Sequence, residues 1–383
     1  MVTRARLFGM FIIAGASVSI PALAQSREAS APISERPGPQ QERFAVSRGA
    51  FKVTTTDVTL RVEARAKDLQ LRVRTPKLNE GEKPPQSGWP LLVFSHGAGG
   101  SRDAFGDLQD LLTSHGYICI SPTHSDSLAL ARQKRAADGP TARELATTEG
   151  RRKLRNSVKL SERVADCTLI LDKAADISAL VEKAGGTPFT VDMQKVAVAG
   201  HSAGAFTAQL CAGVKVRGVS VGKTGQGLIS IGDDRFKAAV IISGQGTASL
   251  ALAESSWDAV KVPLLVFSGS LDGSPEGMGN ETPATRRHPF EKSRGTTNGG
   301  PPAYLLYIEG ATHGAYQGKP GAGDRLNKAD DKPTPASDVG AATNAAVLTF
   351  LNAHLRDDAE SLKTLNNDTL ARTIPGKVEY QRK

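Results

Sequence analysis

Two patterns of apolar and polar residues recur along the chain and predict its strands. Residues 58–62 and 69–73 alternate strictly, which is typical of an antiparallel sheet edge with one wet face. Further runs are continuously apolar, as expected of parallel strands buried on both faces. These runs cover residues 90–95, 117–120, 196–199, 238–242, 263–267 and 303–308.

The stretches between these runs have helical character. The longest one, residues 160–181, repeats apolar residues at steps of three and four, which predicts an amphipathic helix that lies on a sheet. Residues 103–115 and 341–354 are also predicted to be helices. Strands that alternate with helices imply right-handed crossovers. The sequence therefore predicts an α/β fold, a doubly wound and mostly parallel sheet with helices on both faces.

The ends of the chain differ from this central domain, which we place at residues 49–356. Arg4 and Arg6 precede an apolar segment, and residues 22–24 (Ala-Leu-Ala) form a cleavage site. We therefore predict a signal peptide over residues 1–24, cleaved after Ala24, and a secreted or periplasmic protein without a stable membrane span after cleavage. An uncleaved membrane anchor is the alternative. Residues 25–48 are predicted to be a disordered leader and residues 357–383 a polar C-terminal tail.

Polar insertions interrupt the domain at about residues 125–155, 272–302 and 317–338. Loops of this length in a compact domain usually line a binding site or remain mobile. They contain no readable motif.

Composition excludes several classes of protein. The chain of 383 residues, 39% hydrophobic, suffices for one large domain and is short for two. Its net charge of +9 comes from scattered lysine and arginine without interleaved aromatics, so we expect no nucleic-acid binding. The three cysteines Cys119, Cys167 and Cys211 are too few for a disulfide framework, although a single disulfide between two of them is an alternative. No heptad seam is present, and we expect a monomer.

The strongest chemical signal is the pentapeptide at residues 200–204, Gly-His-Ser-Ala-Gly. It lies between a predicted strand and a predicted helix, as does the nucleophile elbow of α/β-hydrolases. The sharp turn would hold Ser202 in a strained conformation and lift its hydroxyl above the sheet. Gly200 and Gly204 would leave room for the close approach of strand and helix. Ser202 is therefore the predicted nucleophile.

A serine nucleophile needs a base and an acid, and this fold supplies them in the order serine, acid, histidine. Asp272 follows one apolar strand and His313 follows a later one. The carboxyl ends of parallel strands lie at one edge of the sheet, so both should lie near Ser202. Other acids are less well placed, namely Glu309, Asp233 and Asp234.

Residues 96–100 (His-Gly-Ala-Gly-Gly) follow the first buried strand and predict an oxyanion hole. We assign its donors to the backbone N–H groups of Ala98 and Ala203. His96 and Gly97 are expected to support this turn.

Three other features have weaker chemical interpretations. His201 is predicted to pack beside the nucleophile rather than to act as a second base. His124 and Asp126 are two metal-ligand types without a third, so we predict neither metal nor cofactor. The loop at residues 286–290 could order the Asp272 loop or meet an acidic substrate group, and the structural role is favoured.

Residues 93–101, 114–117 and 122–126 resemble the platelet-activating-factor acetylhydrolase and dienelactone-hydrolase-like branch of the α/β-hydrolases. Bacterial polyester hydrolases and chlorophyllase-like lipases are similar at the same points. The resemblance covers about residues 50 to 355 and implies a serine esterase without metal or organic cofactor. True dienelactone hydrolases use a cysteine in the elbow, so Ser202 argues against that activity.

These observations predict an exported serine hydrolase that cleaves carboxylic esters through an acyl-enzyme. Its substrate would be a small-molecule, lipid or polymer ester. Two alternatives remain open. One is a peptidase or amidase with the same triad, and the other is a non-catalytic binding protein with the same fold.

Overall fold

The structure is a computed structural model that describes residues 42–79, 81–133, 141–218, 227–320 and 332–383. The predicted signal peptide and most of the predicted leader lie outside these ranges. Residues 42–48 form neither helix nor strand.

The elements follow one another in the alternating order that the sequence predicts. The strands are Lys52–Val62 (β1), Lys67–Lys77 (β2), Trp89–Ser95 (β3), Ile118–Pro122 (β4), Val191–His201 (β5), Val216–Arg217 (β6), Leu228–Ile229 (β7), Ala238–Ile242 (β8), Leu264–Leu271 (β9), Ala303–Thr312 (β10) and Val378–Arg382 (β11). The α-helices are Gly106–Ser114 (α1), Leu128–Gln133 (α2), Ala142–Leu145 (α3), Thr148–Ser157 (α4), Leu160–Asp172 (α5), Ala174–Lys183 (α6), Ala203–Cys211 (α7), His288–Glu291 (α8), Ala336–Leu355 (α9) and Ala359–Leu365 (α10). Short 3₁₀ turns occur at Glu63–Arg65, Glu254–Trp257, Thr285–Arg287, Thr296–Asn298, Ala315–Gln317 and Thr369–Arg372.

The main sheet has the strand order β1-β2-β4-β3-β5-β8-β9-β10-β11. Its central strands, from β4 to β10 in that order, pair in parallel. β1 and β2 pair antiparallel at one edge and β11 pairs antiparallel with β10 at the other. The predicted α/β fold with a mostly parallel sheet is confirmed, as is the antiparallel edge inferred from alternating residues.

The core lies on both faces of this sheet. Neighbouring residues on one strand point to opposite faces, so Val93 packs in one cluster with residues of α5 and α7. Phe94 packs in the other cluster with residues of α1 and α9. Burial on both faces explains why the central strands are continuously apolar.

Two segments differ from the sequence-based predictions. The predicted helix at residues 160–181 is two helices, because Lys173 leaves the helical conformation (φ −113°, ψ 18°). This break lets α5 contact α7 while α6 contacts β1. Residues 357–383, predicted to be a polar tail, contain α10 and the edge strand β11. The strand was not predicted because its sequence is mostly polar. One of its faces packs on the core through Val378 and Tyr380, and the other face is exposed to solvent.

In the part of the chain that the structure describes, no helix is both long and apolar enough to cross a membrane. The side chains of Cys119, Cys167 and Cys211 are buried, and each carries a free thiol.

Candidate active site

Ser202 lies in the tight turn between β5 and α7. Its backbone has φ 56° and ψ −118°, a conformation that a residue with a side chain rarely adopts. A Cβ atom added to Gly200 would overlap the carbonyl group of Gly204. One added to Gly204 would overlap the carbonyl group of Ser95. Both glycines are therefore needed for the strand, the turn and the neighbouring strand to approach this closely.

His313 lies between Ser202 and Asp272 and contacts both. Its Nε2 is 2.9 Å from Ser202 Oγ, and its Nδ1 is 2.8 Å from Asp272 Oδ1. His313 follows β10 and Asp272 follows β9, so the parallel strands bring them to the edge that carries Ser202. The three side chains are aligned as a nucleophile, a base and an acid would be.

The other candidate acids lie elsewhere and have other partners. Glu309 forms a surface ion pair with Lys377, with 3.4 Å between the charged atoms. Asp233 binds Arg235 at 2.7 Å. Neither carboxylate hydrogen-bonds to His313 in the described structure.

The Asp272 carboxylate is fully buried and receives several hydrogen bonds. Ser243 Oγ donates to its Oδ1 at 2.7 Å, and Tyr316 Oη donates to its Oδ2 at 3.0 Å. Burial alone would raise the pKa of Asp272, but the charge of Arg286 and the hydrogen bonds from His313 and Ser243 lower it to about 2. Asp272 is therefore ionised throughout the range in which a histidine acts as a base.

Arg286 connects the loop of Asp272 to the loop after β8. Its Nε lies 3.1 Å from Asp272 Oδ1 and donates to the backbone oxygen of Asp272 at 2.8 Å. Its Nη1 donates to the backbone oxygens of Ser243 and Gly244, at 2.7 Å and 3.0 Å. Its Nη2 donates to Ser274 Oγ at 3.0 Å. Arg286 thus orders the Asp272 loop, in agreement with the structural role favoured for residues 286–290.

His201 holds the other side of the histidine loop. Its Nε2 donates to the backbone oxygen of His313 at 2.7 Å, and the two ring centroids are 4.8 Å apart. Burial lowers the pKa of His201 to about 3, with a smaller effect from His313, so its ring is neutral. It therefore supports His313 and does not approach Ser202 as a base would.

The glycine-rich turn lies beside the elbow. The N–H of Gly100 donates to the oxygen of Gly97 at 3.0 Å, and Gly99 has φ 73°. A Cβ on Gly97 would lie 3.5 Å from Ser202 Cβ, so the turn approaches the nucleophile closely. Within the described ranges, the backbone N–H groups of Ala98 and Ala203 donate no hydrogen bond to the protein. Both groups are therefore available to a bound oxygen.

His96 and His124 have structural partners beside this turn. His96 Nδ1 donates to the oxygen of Gly97 at 2.6 Å, and its Nε2 accepts from the N–H of His124 at 3.0 Å. His124 contacts Ser95 Oγ and Asp166 Oδ2, both at 2.9 Å. No group of three metal-ligating side chains suited to an ion occurs among the described residues.

Ser202 lines two cavities. One, of about 380 Å³, is lined mainly by apolar groups beside α5 and α7, including Val158, Leu160, Phe206 and Leu250. The other, of about 450 Å³, is lined by residues that include Phe105, Leu128, Leu154, His313 and Gln317. Residues of the 125–155 and 272–302 insertions line both cavities, as expected for long loops near a binding site.

Several residues that contact the site residues directly were not predicted from the sequence. Ser243 directly follows β8 and has φ 54°. Its position after a predicted strand is the sequence signal that could have identified it. Tyr316 lies three residues after His313, but a tyrosine there has no distinctive pattern. Arg163 lies within the segment predicted to be an amphipathic helix, and it is 1% exposed.

Comparisons with known proteins show which family and which fold the chain is similar to. The family model for platelet-activating factor acetylhydrolase, isoform II, matches residues 58–271, which include Ser202 and the glycine-rich turn. A platelet-activating factor acetylhydrolase of Cavia porcellus is 29% identical over 148 residues. That match covers 34% of this chain and 32% of the relative, so the chain spans about a third of its length. A ferulic acid esterase from Streptomyces cinnamoneus has a TM-score of 0.50 at 17% identity, over 82% of this chain and 93% of that one. This last likeness concerns the fold alone.

Proposed function

The chain belongs to the platelet-activating factor acetylhydrolase isoform II family, and we propose that it is an exported serine esterase. The observation that carries the proposal is the hydrogen-bonded series Ser202–His313–Asp272, whose Ser202 lines two cavities. Such a series activates a serine hydroxyl for attack on a carbonyl carbon.

In the proposed reaction, Ser202 Oγ attacks the ester carbonyl while His313 Nε2 takes its proton. The backbone N–H groups of Ala98 and Ala203 stabilise the resulting oxyanion. His313 then gives the proton to the leaving alcohol oxygen, and the acyl group stays on Ser202. Water, deprotonated by His313, attacks the acyl-enzyme carbonyl, and the carboxylic acid leaves as His313 returns the proton to Ser202 Oγ. Asp272 accepts the Nδ1–H of His313 throughout and stabilises its charged form.

The same chemistry assigns the two sides of the substrate. His313 must reach the leaving oxygen, so we assign the alcohol to the 450 Å³ cavity that His313 lines. The acyl group then enters the 380 Å³ cavity, where Phe206, Leu160 and Val158 favour an apolar chain. Both volumes are in the range of small-molecule sites, which supports groups larger than methyl on both sides of the ester.

The test is hydrolysis of p-nitrophenyl esters from acetate to palmitate by the mature protein, residues 25–383. We expect Ser202→Ala to lower kcat by more than about 10⁴-fold, because removal of a triad serine leaves only binding and the oxyanion hole. Ser255→Ala, at an exposed serine that lines neither cavity, is the matched control. Activity of Ser202→Ala within tenfold of the wild type would refute the assignment. Matched p-nitroanilides separate the esterase from an amidase, and no turnover of either would favour a binding protein.

Export is a separate part of the proposal and rests on the pattern of residues 4–24. Expression with the native N-terminus, followed by mass spectrometry of the exported protein, should give an N-terminus at Gln25. An intact Met1 on a membrane-bound product would instead support the uncleaved anchor.

A further inference from the structure

We propose that Arg163, held by Asp126, is a positioning residue for the oxyanion hole. It fixes the peptide between Gly97 and Ala98 so that the N–H of Ala98 faces the reacting carbonyl. This inference rests on the proposed function, since it concerns the same site.

Arg163 is buried under the glycine-rich turn and contacts its backbone. Its Nη1 donates to the oxygen of His96 at 2.7 Å, and its Nη2 lies 3.4 Å from the oxygen of Gly97. The Arg163 side chain is 1% exposed and that of Asp126 is fully buried, so water does not compete for these bonds. The guanidinium therefore holds the two carbonyl groups that precede Ala98.

Asp126 holds both the guanidinium and the far side of the turn. Its carboxylate pairs with Arg163 through two bonds, Nε to Oδ1 at 2.9 Å and Nη2 to Oδ2 at 2.7 Å. Its Oδ2 also accepts from the N–H of Gly99 at 3.0 Å. The ion pair thus binds the backbone on both sides of Ala98 and leaves the N–H of Ala98 without a bond.

Because the peptide is planar, the contacts to the oxygen of Gly97 also fix the direction of the N–H of Ala98. The oxygen of Gly97 and the N–H of Ala98 belong to one trans peptide and point opposite ways. The oxygen of Gly97 faces Arg163 and also accepts from His96 Nδ1 at 2.6 Å and from the N–H of Gly100 at 3.0 Å. Rotation of this peptide would break all of these bonds. The N–H of Ala98 is therefore held away from Arg163, towards the cavity that Ala98 and Ser202 both line.

A role in stability alone would be a weak reason for this arrangement. A buried ion pair often contributes no more net stability than apolar side chains of similar volume, because both charges lose their hydration. A planar guanidinium in a bidentate pair has, however, a well-defined orientation. We infer that the orientation of the turn is what the pair provides.

The experiment is a double-mutant cycle between Arg163→Lys and Ala98→Pro. The turn has a positive φ at Gly99 but not at Ala98, which makes it a type II turn whose second position accepts proline. Proline at residue 98 therefore removes the proposed donor and is compatible with the turn. Lysine at residue 163 keeps the charge and loses the bidentate geometry. Arg74→Lys, at a buried arginine on β2 that pairs with Asp110, is the matched control.

We expect Arg163→Lys to lower kcat by about 10- to 100-fold with KM within threefold, and Ala98→Pro by about 100- to 1000-fold. The double variant should be no slower than Ala98→Pro by more than about twofold, because Arg163 acts through that N–H. The inference would be overturned if the kcat losses of the two single variants multiplied in the double variant. A lower melting temperature with unchanged kcat in Arg163→Lys would also overturn it. If Ala98→Pro does not fold, the kcat and KM values of Arg163→Lys against Arg74→Lys decide. Activity that persists in Ser202→Ala would instead reject the proposed function, and with it this inference.

Discussion

Replacing Arg286 with methionine would leave the buried Asp272 carboxylate without its cationic partner. The same change would remove the donors to the backbone oxygens of Asp272, Ser243 and Gly244. Arg286 is 1% exposed, so water does not replace these bonds without opening the loop. Methionine fills much of the same space, so the effect should report charge and hydrogen bonding rather than a cavity.

The cost of this substitution can be estimated from the pKa of Asp272 in the structure and from buried ion pairs in general. The pKa of Asp272 falls from 3.8 to about 2, which corresponds to about 2 kcal/mol of stabilisation at neutral pH. This value is net of the burial penalty, which remains when Arg286 is removed. Removal of one partner of a buried ion pair costs about 3–5 kcal/mol. We therefore expect Arg286→Met to lower the free energy of unfolding by about 3–5 kcal/mol at pH 7.

The dependence on pH follows from the sign of the shift. The folded pKa of Asp272 is below its unfolded value, so its stabilisation is present above about pH 4 and is lost as the pH falls through 2. Without Arg286 this pKa rises, and Asp272 becomes protonated at a higher pH, which relieves the buried charge. The difference between Arg286→Met and the wild type should therefore shrink between pH 7 and pH 4.

Urea denaturation at both pH values measures these free energies. Arg287→Met is the matched control, because that side chain is 20% exposed and binds Glu291 and Glu379 at the surface. It should lose no more than about 1 kcal/mol. A loss below 1 kcal/mol for Arg286→Met, or an equal loss at both pH values, would refute this account of Asp272.

Three further predictions concern other parts of the site. Tyr316→Phe removes a donor to Asp272 and should lower kcat about tenfold in ester hydrolysis, since a hydrogen bond to a charged group contributes about 1.5–3 kcal/mol; unchanged kcat would refute this role. Gly204→Ala should fail to fold, because its Cβ would overlap a backbone carbonyl, whereas Gly227→Ala, whose Cβ would meet no atom of the described residues within 4 Å, should melt like the wild type. Circular dichroism tests both, and a normal melting curve for Gly204→Ala would contradict the expectation. Burial lowers the pKa of His124 to about 4, so the unfolded chain binds a proton that the folded chain refuses, and stability should fall from pH 6.5 to pH 4. His124→Gln should show a smaller fall in its urea midpoint over that range, and an equal fall would contradict it.

The central strands were predictable because burial on both faces demands continuous apolar runs, as in residues 238–242, which form β8 with the predicted bounds. The edge strand β11 was not, because its wet face made the segment resemble a tail. The break at Lys173 was not predictable either, because the apolar period continues through it. Its position depends on where α5 and α6 find partners in the sheet.

The residues of the candidate site also differ in how far they could be predicted from the sequence. The residues of the proposed triad are restricted in type and in chain order by the chemistry, so Ser202, Asp272 and His313 could be proposed from the sequence. Arg163 and Arg286 bind backbone oxygens that the folded chain brings within reach. Arg163 has the sequence pattern of any exposed arginine, whereas the loop of Arg286 was singled out and a structural role was favoured for it, without its contacts being predictable. One lies under the oxyanion turn and the other behind the Asp272 loop. Their role is determined by tertiary contacts, and substitutions at these two positions are therefore the sharpest test of how the site is held.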